Sequence, residues 1–143
     1  MKELKTLIVH RLVKSEDLNH HGTLFAGRIA EWFIESGFIA AANYVKPQHL
    51  VCLNLYGMEF LKPVRGGEIV CFSSKVVYAG RTSLITYIKV TKVEKAETVV
   101  DGFISFINVN EHTKPHAHKI VITPETKEDI RLNEEAKKLK RCV

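Results

Sequence analysis

The stretch of this chain best suited to bind or transform a ligand is Asn19-His20-His21-Gly22-Thr23-Leu24-Phe25-Ala26-Gly27. A polar loop containing a glycine runs into an apolar helical segment, Arg28 to Val45, and small residues sit where the helix starts. The first N–H groups of a helix have no partner within it and lie at the positive end of its dipole, so such a start can take the oxygen of a carbonyl or phosphate. Arg28, Glu31 and Glu35 follow at i, i+3 and i+7 on one helix face. The stripe reads first as an ion-paired face; in a partly dry cleft a carboxylate can instead serve as general base, with Glu35 preferred to Glu31. His20 and His21 read as residues that shape the loop, with a polarising or basic role as the alternative. Arg81, in Gly80-Arg81-Thr82-Ser83, offers a guanidinium fork to a phosphate or is an ordinary turn residue. His112, His116 and His118 share a polar loop, but no cysteine or carboxylate completes a ligand-like spacing, so no metal is expected. No Gly-x-Ser-x-Gly elbow and no glycine-rich phosphate loop is present.

The chain bounds what can surround these residues. At 143 residues it is expected to form one domain, residues 1–143, long enough to bury roughly 70% of its unfolded surface. A hydrophobic share of 45% and a charged share of 26% suit a soluble globular protein, and the net charge of +5 is too small to name an anionic partner. The one basic cluster, Lys137-Lys138-Leu139-Lys140-Arg141, reads as a solvated helix end rather than a nucleic-acid contact. No apolar run approaches the roughly 18 residues of a membrane span, and no leader-peptide core is seen at the N-terminus. Cys52, Cys71 and Cys142 show no metal spacing. Cys52 and Cys71 lie in apolar strand-like runs, so they are expected to be buried and reduced, and the protein cytoplasmic.

The elements that must position the candidates follow from patterning. Leu4 to Val13 alternates as a first strand, which Lys14-Ser15-Glu16-Asp17 ends, and Thr23 is placed to cap the helix. That helix is apolar nearly all round, with Phe25, Ile29, Trp32, Phe33, Ile39 and Tyr44 among small residues, so it should be enclosed. His49 to Leu61, Glu68 to Tyr78, Ser83 to Glu94 and Thr98 to Val109 are rich in strand formers, and the connections between them are too short for crossover helices. They should pair antiparallel. Thr123-Pro124 signals a final helix whose acidic start and basic end suit its dipole. The expected fold is α+β: one long helix wrapped by a curved, five-stranded antiparallel sheet, with a core in about residues 1–110 and a loop and C-terminal helix in 111–143. A sheet this apolar with open edges favours a homo-oligomer, at least a dimer.

This order resembles the hotdog fold, and four motifs resemble those of its single-domain bacterial acyl-CoA thioesterases. Asn19 to Gly27 is similar to the family's Asn-x-x-Gly-x-x-Phe-Gly-Gly approach to the central helix. Phe60-Leu61-Lys62-Pro63-Val64 with Gly67-Glu68 is similar to its Phe-x-x-Pro-x-x-x-Gly-Asp connection, and Gly80-Arg81-Thr82-Ser83 to its Gly-Arg-Ser-Ser turn. Phe103 to Asn110 resembles its last strand. The resemblance implies hydrolysis of acyl-CoA between two subunits, with no cofactor beyond the coenzyme A of the substrate, and a dimer or a trimer of dimers. It places the oxyanion donor at the Ala26 N–H beside Gly27, the polar group that orients thioester or water at Asn19, and CoA contacts at Gly27, Lys62, Gly80, Arg81, Thr82 and Ser83. Where the family usually carries a catalytic Asp, this chain has Ile34. Glu35 is the best remaining base, although one helix step turns its side chain by about 100° from that position. Two readings follow: an acyl-CoA thioesterase, weakened by Ile34, or an acyl-CoA-binding protein without the chemistry. The fold's other chemistry, dehydration of hydroxyacyl thioesters, wants a histidine in a Pro- and Gly-rich loop, which His20-His21 is not.

Overall fold

The computed structural model describes residues 1–141, so the expectation for Cys142 lies outside the described residues. Five strands, β1 (Leu7–Leu12), β2 (Leu50–Phe60), β3 (Ile69–Ala79), β4 (Ser83–Lys92) and β5 (Thr98–Asn108), form one sheet in the order β1-β3-β4-β5-β2, every neighbouring pair antiparallel. The helix α1 (Ala26–Ala42) meets all five strands, which a sheet achieves only by curving round it. On the inner face, Ile29, Phe33 and Ala41 of α1 pack against Phe72, Val76, Leu84, Ile88, Val100, Ile104 and Phe106. Gly37 lets the helix close on the sheet, since a Cβ there would lie 2.9 Å from Ile104 Cδ1. The C-terminal helix α2 (Lys127–Arg141) covers part of the outer face, where Leu132 and Ala136 pack on Val77, Ile85, Tyr87 and Phe103. Both faces of β4 are therefore buried over most of its length, which explains its near-continuous apolar run.

Local chemistry moves several boundaries. β1 is shorter than Leu4 to Val13, because the Leu4 N–H goes to Asp129 Oδ2 and the Val13 N–H to Glu68 O. The last helix starts at Lys127, not at Thr123-Pro124: Thr126 accepts the Asp129 N–H on its Oγ1 and the Ile130 N–H on its carbonyl. Cys52 is exposed and Cys71 half-buried, against the expectation of burial. β2 is an edge strand, and residues 51–55 are open to solvent on both faces. A bulge near Gly57 (φ 67°) bends β2 toward β5, where only a glycine fits: a Cβ on Gly102 would sit 2.5 Å from Tyr56 O.

Candidate active site

The connection after β2 assembles the site. The Leu24 N–H donates to Val64 O at 2.7 Å and Thr23 bridges to Arg65, so residues 60–65 run beside the loop that leads into α1. Between them lies a groove of about 270 Å³ lined by Asn19, Leu24, Ala26, Ile29 and the run from Phe60 to Val64. Ile29 and Val64 are buried and floor it, whereas Phe60 and Leu61 are 49% and 50% exposed, so its wall is unfinished on the β2 side.

Helix α1 begins at this groove, two residues before Arg28, because the N–H groups of Arg28 and Ile29 both return to Phe25 O, at 2.9 and 3.1 Å. The N–H groups of Ala26 and Gly27 have no hydrogen-bond partner among the described residues. Thr23 does not cap the helix; the N-cap is Phe25, which supplies no side-chain acceptor. The Thr23 hydroxyl instead faces Asn19. Asn19 Oδ1 accepts the N–H groups of His21 (2.8 Å) and Thr23 (3.2 Å), and its Nδ2 donates to Thr23 Oγ1 at 3.1 Å. Asn19 thus holds the loop and lines the groove with one Nδ2 hydrogen to spare. An uncapped helix start leaves two donors at its positive end for a ligand. Gly27 is fitted to the Phe25 ring, whose Cε2 would lie 2.5 Å from a Cβ there. His20 and His21 are exposed, with ring centroids 3.9 Å apart.

The remaining candidates do not converge on the groove within one chain. Lys62 lies in its lining and is exposed. Gly80, Arg81, Thr82 and Ser83 form the β3–β4 turn, at the opposite end of the sheet. Leu84 pairs with Phe106 there, while Phe60 at the groove pairs with Val100, six residues or roughly 20 Å of strand away. Glu35 is exposed and bound to Arg11 Nη2 of β1 at 2.6 Å, with Arg11 also 5.3 Å from the centroid of the Trp32 ring. One Glu35 oxygen, Oε1, is thus held by the guanidinium in an exposed ion pair, the first of the two readings of the stripe. Glu31 is likewise paired, with Arg28 at 3.7 Å. Ile34 is half-buried against the inner core.

Asp17 is the residue that sequence reasoning missed. Taken as part of a polar strand end, it is 3% exposed. Its carboxylate accepts the Lys14 N–H at 2.9 Å and meets Arg28 Nε at 3.3 Å, and its carbonyl accepts the Phe25 N–H at 2.9 Å. It ties the loop to the first turn of α1. The run Lys14-Ser15-Glu16-Asp17 contains nothing that sets one acidic residue apart, since the burial arises only when the helix folds back.

The profile of the thioesterase superfamily matches residues 21–99. The uncharacterised acyl-CoA thioester hydrolase YkhA of Bacillus subtilis is 30% identical over 124 residues, 84% of this chain and 71% of that protein. The crystal structure of an acyl-CoA hydrolase from Bacillus cereus is 26% identical, with a TM-score of 0.85 over 95% of this chain and 84% of that one. A hexameric acyl-CoA thioesterase crystallised without ligand is also 26% identical, with a TM-score of 0.85 over 95% of this chain and 88% of that one.

Proposed function

Because the chain belongs to the thioesterase superfamily and has its hotdog fold, we propose that it hydrolyses acyl-CoA thioesters to the free acid and coenzyme A. The observation that carries this reading is the pair of unpartnered N–H groups at the start of α1, opening on a groove beside Asn19. Water adds to the thioester carbonyl, and the carbonyl electron pair moves onto oxygen. The Ala26 N–H, with that of Gly27 beside it, meets the charge that develops there, and Asn19 orients the thioester or the water through its spare hydrogen. Collapse of the adduct breaks the C–S bond, and the proton lost by water ends on the coenzyme A thiolate. Apart from the coenzyme A of the substrate, this reading calls for no cofactor.

A second copy completes the site in this reading. The edge strand β2 presents Val51, Leu53 and Leu55 to solvent beside the unfinished wall of the groove. Antiparallel pairing of β2 with its equivalent sets the start of one strand beside the end of the other, and so carries one copy's 80–83 turn toward the other's groove. Arg81 would then meet the phosphates of coenzyme A, with Lys62 at the rim. Assembly into a hexamer is the state named for one similar thioesterase. Cys52 and Cys71 are free thiols, which suits the reducing cytoplasm, and among the described residues no helix is long and apolar enough to cross a membrane.

Ile34 is the residue that invites a binding-only reading. The matched relatives are named hydrolases, and an already activated ester held against an oxyanion donor turns over without a strong base. The test is release of free thiol from acyl-CoA esters of graded chain length, with binding measured separately. Saturable release from at least one class is expected. Replacing Ala26 by proline deletes the donor and leaves the helix start in place, since proline suits the first position of a helix and the preceding Phe25 is already extended. Ala26→Pro should lower kcat by about 100-fold with an unchanged Tm. Binding without release across the series would overturn the proposal.

A further inference from the structure

We infer that His118 is a positioning residue that holds the Gly80–Ser83 turn in shape for the phosphates of coenzyme A; this rests on the reading of that turn as the coenzyme A subsite. The end of β5 and the loop after it together take three consecutive carbonyls of the turn. Arg81 O accepts the His118 N–H at 3.2 Å, Thr82 O accepts the Asn108 N–H at 2.7 Å, and Ser83 O accepts from the Gly80 N–H and from the His118 ring, both at 2.9 Å. The ring has one possible proton arrangement. The Ile120 N–H points at Nδ1 from 2.9 Å and can only donate, so Nδ1 carries a lone pair and the hydrogen is on Nε2, donated to Ser83 O.

One half-buried imidazole thus joins the turn to the backbone at residue 120, while its own N–H takes a further turn carbonyl. The loop is in turn anchored on β5: the His116 N–H donates to Asn108 O at 2.9 Å, and Asn108 Nδ2 donates to His116 O at 2.7 Å. The carbonyls are drawn toward this anchor. The N–H groups of Arg81 and Thr82 have no partner among the described residues, and the Arg81 side chain is exposed. With the carbonyls of residues 81–83 engaged, the N–H groups of Arg81 and Thr82 are what this part of the turn offers an anion. Loss of the His118 ring takes one of the donors from Ser83 O and leaves the Ile120 N–H without its acceptor. The turn then loses its tie to residue 120, and Ser83 O can tilt toward the ligand, where a carbonyl repels phosphate.

The experiment compares hydrolysis of an acyl-CoA with that of the same acyl group on N-acetylcysteamine, a thiol without the nucleotide. Arg81→Ala should raise KM for the acyl-CoA alone. His118→Ala should raise KM for the acyl-CoA about tenfold with kcat changed less than about twofold, and should move KM for the nucleotide-free thioester less than about twofold. His118→Gln keeps an amide donor long enough for Ser83 O and should restore most of the affinity, whereas His118→Asn keeps only the shorter acceptor and should resemble alanine. These two variants decide the matter if alanine does not fold. Equal KM shifts on both substrates, no shift on acyl-CoA, or failure of glutamine to outperform asparagine would overturn the positioning role. If Arg81→Ala leaves KM for acyl-CoA unchanged, the subsite assignment itself fails, and the inference with it.

Discussion

For Asn19 the sequence set two roles against each other, loop capping and ligand contact. The structure shows the first in full: the Asn19 side chain bonds His21 and Thr23, and backbone bonds between Asn19 and Thr23 and between Gly22 and Asn19 close the loop that leads to the helix. One amide hydrogen remains for the proposed second role. Ile34 poses the sharper question, because a water-activating carboxylate is expected there from the family pattern. Its side chain is half-buried against the inner core rather than free on the surface. Ile34→Asp should raise kcat about tenfold or more, short of the roughly 100-fold at the low end of what a well-positioned general base supplies, while costing about 2 kcal/mol of stability in lost packing. Steady-state kinetics and urea unfolding on the same preparation separate the two effects; a rate no higher than wild type at unchanged KM would remove a water-activating role from this position. Glu35 illustrates why neighbours on a helix do not exchange roles. One step round the helix leads it to Arg11 on β1, an ion pair.

At the scale of elements, the outer face of the sheet is sealed by charge as well as by apolar packing. Lys75 of β3 points into the interface with α2, where its Nζ lies 2.6 Å from Asp129, which is fully buried, and 3.3 Å from Glu3. Burial alone would raise the Asp129 carboxyl, but the hydrogen bonds from Lys75 and the Leu4 N–H, with the charge of Lys75, hold it below its ordinary value. Lys75 is shifted the other way: burial would lower it, and Asp129 and Glu3 hold it above its ordinary value. A carboxyl lowered by folding lends stability above its unfolded value, near 4, and loses it as pH falls through the folded value. A raised lysine lends stability below its unfolded value, near 10.4, and loses it as pH rises through the folded one. The pair therefore supports docking of α2 across the neutral range. Asp129→Asn should cost about 3 kcal/mol at pH 7, because it leaves a buried ammonium with only exposed Glu3. Urea unfolding should show the gap from wild type narrowing as pH falls below about 4, where the unfolded wild-type chain takes up the proton; a loss at pH 7 below about 1 kcal/mol would mean the pair contributes little.

At the scale of the whole molecule, the two proposed parts of the site lie at opposite ends of the single chain's sheet. The groove with Asn19 and Ala26 lies where β2 ends, and the Arg81 turn where β2 begins. A ligand that needs both has to be bound by two chains, and the apolar edge at β2 is where they would join. Leu53, 53% exposed on that edge, tests this. Leu53→Lys places a charge that opposes edge pairing. It should yield a smaller species by sedimentation and lower kcat/KM for acyl-CoA by about tenfold or more, corresponding to about 1.4 kcal/mol of lost transition-state binding. Full activity in a protein shown to be monomeric would exclude the shared site.

The element order, the antiparallel pairing and the seating of α1 on the sheet were legible in the sequence, because alternation and helical apolar spacing are properties of neighbouring residues. The expected full enclosure of α1 is not met in the single chain, where Ile39 is 42% exposed. The approach to α1 over Asn19 to Gly27 was legible in its small residues, but the helix starts two residues earlier than expected and lacks the expected Thr23 cap, because the Thr23 hydroxyl is turned to Asn19. What only the tertiary structure decided depends on residues far apart in the chain. Residues 60–65 return to line the groove with Asn19, and Arg11 of β1 claims Glu35. Asp17 is buried by Arg28, the loop holding His118 folds onto the turn of Arg81, and edge position leaves Cys52 exposed inside an apolar strand. Each of these partners is chosen by the path of the backbone through space, and no local pattern of residue types encodes it.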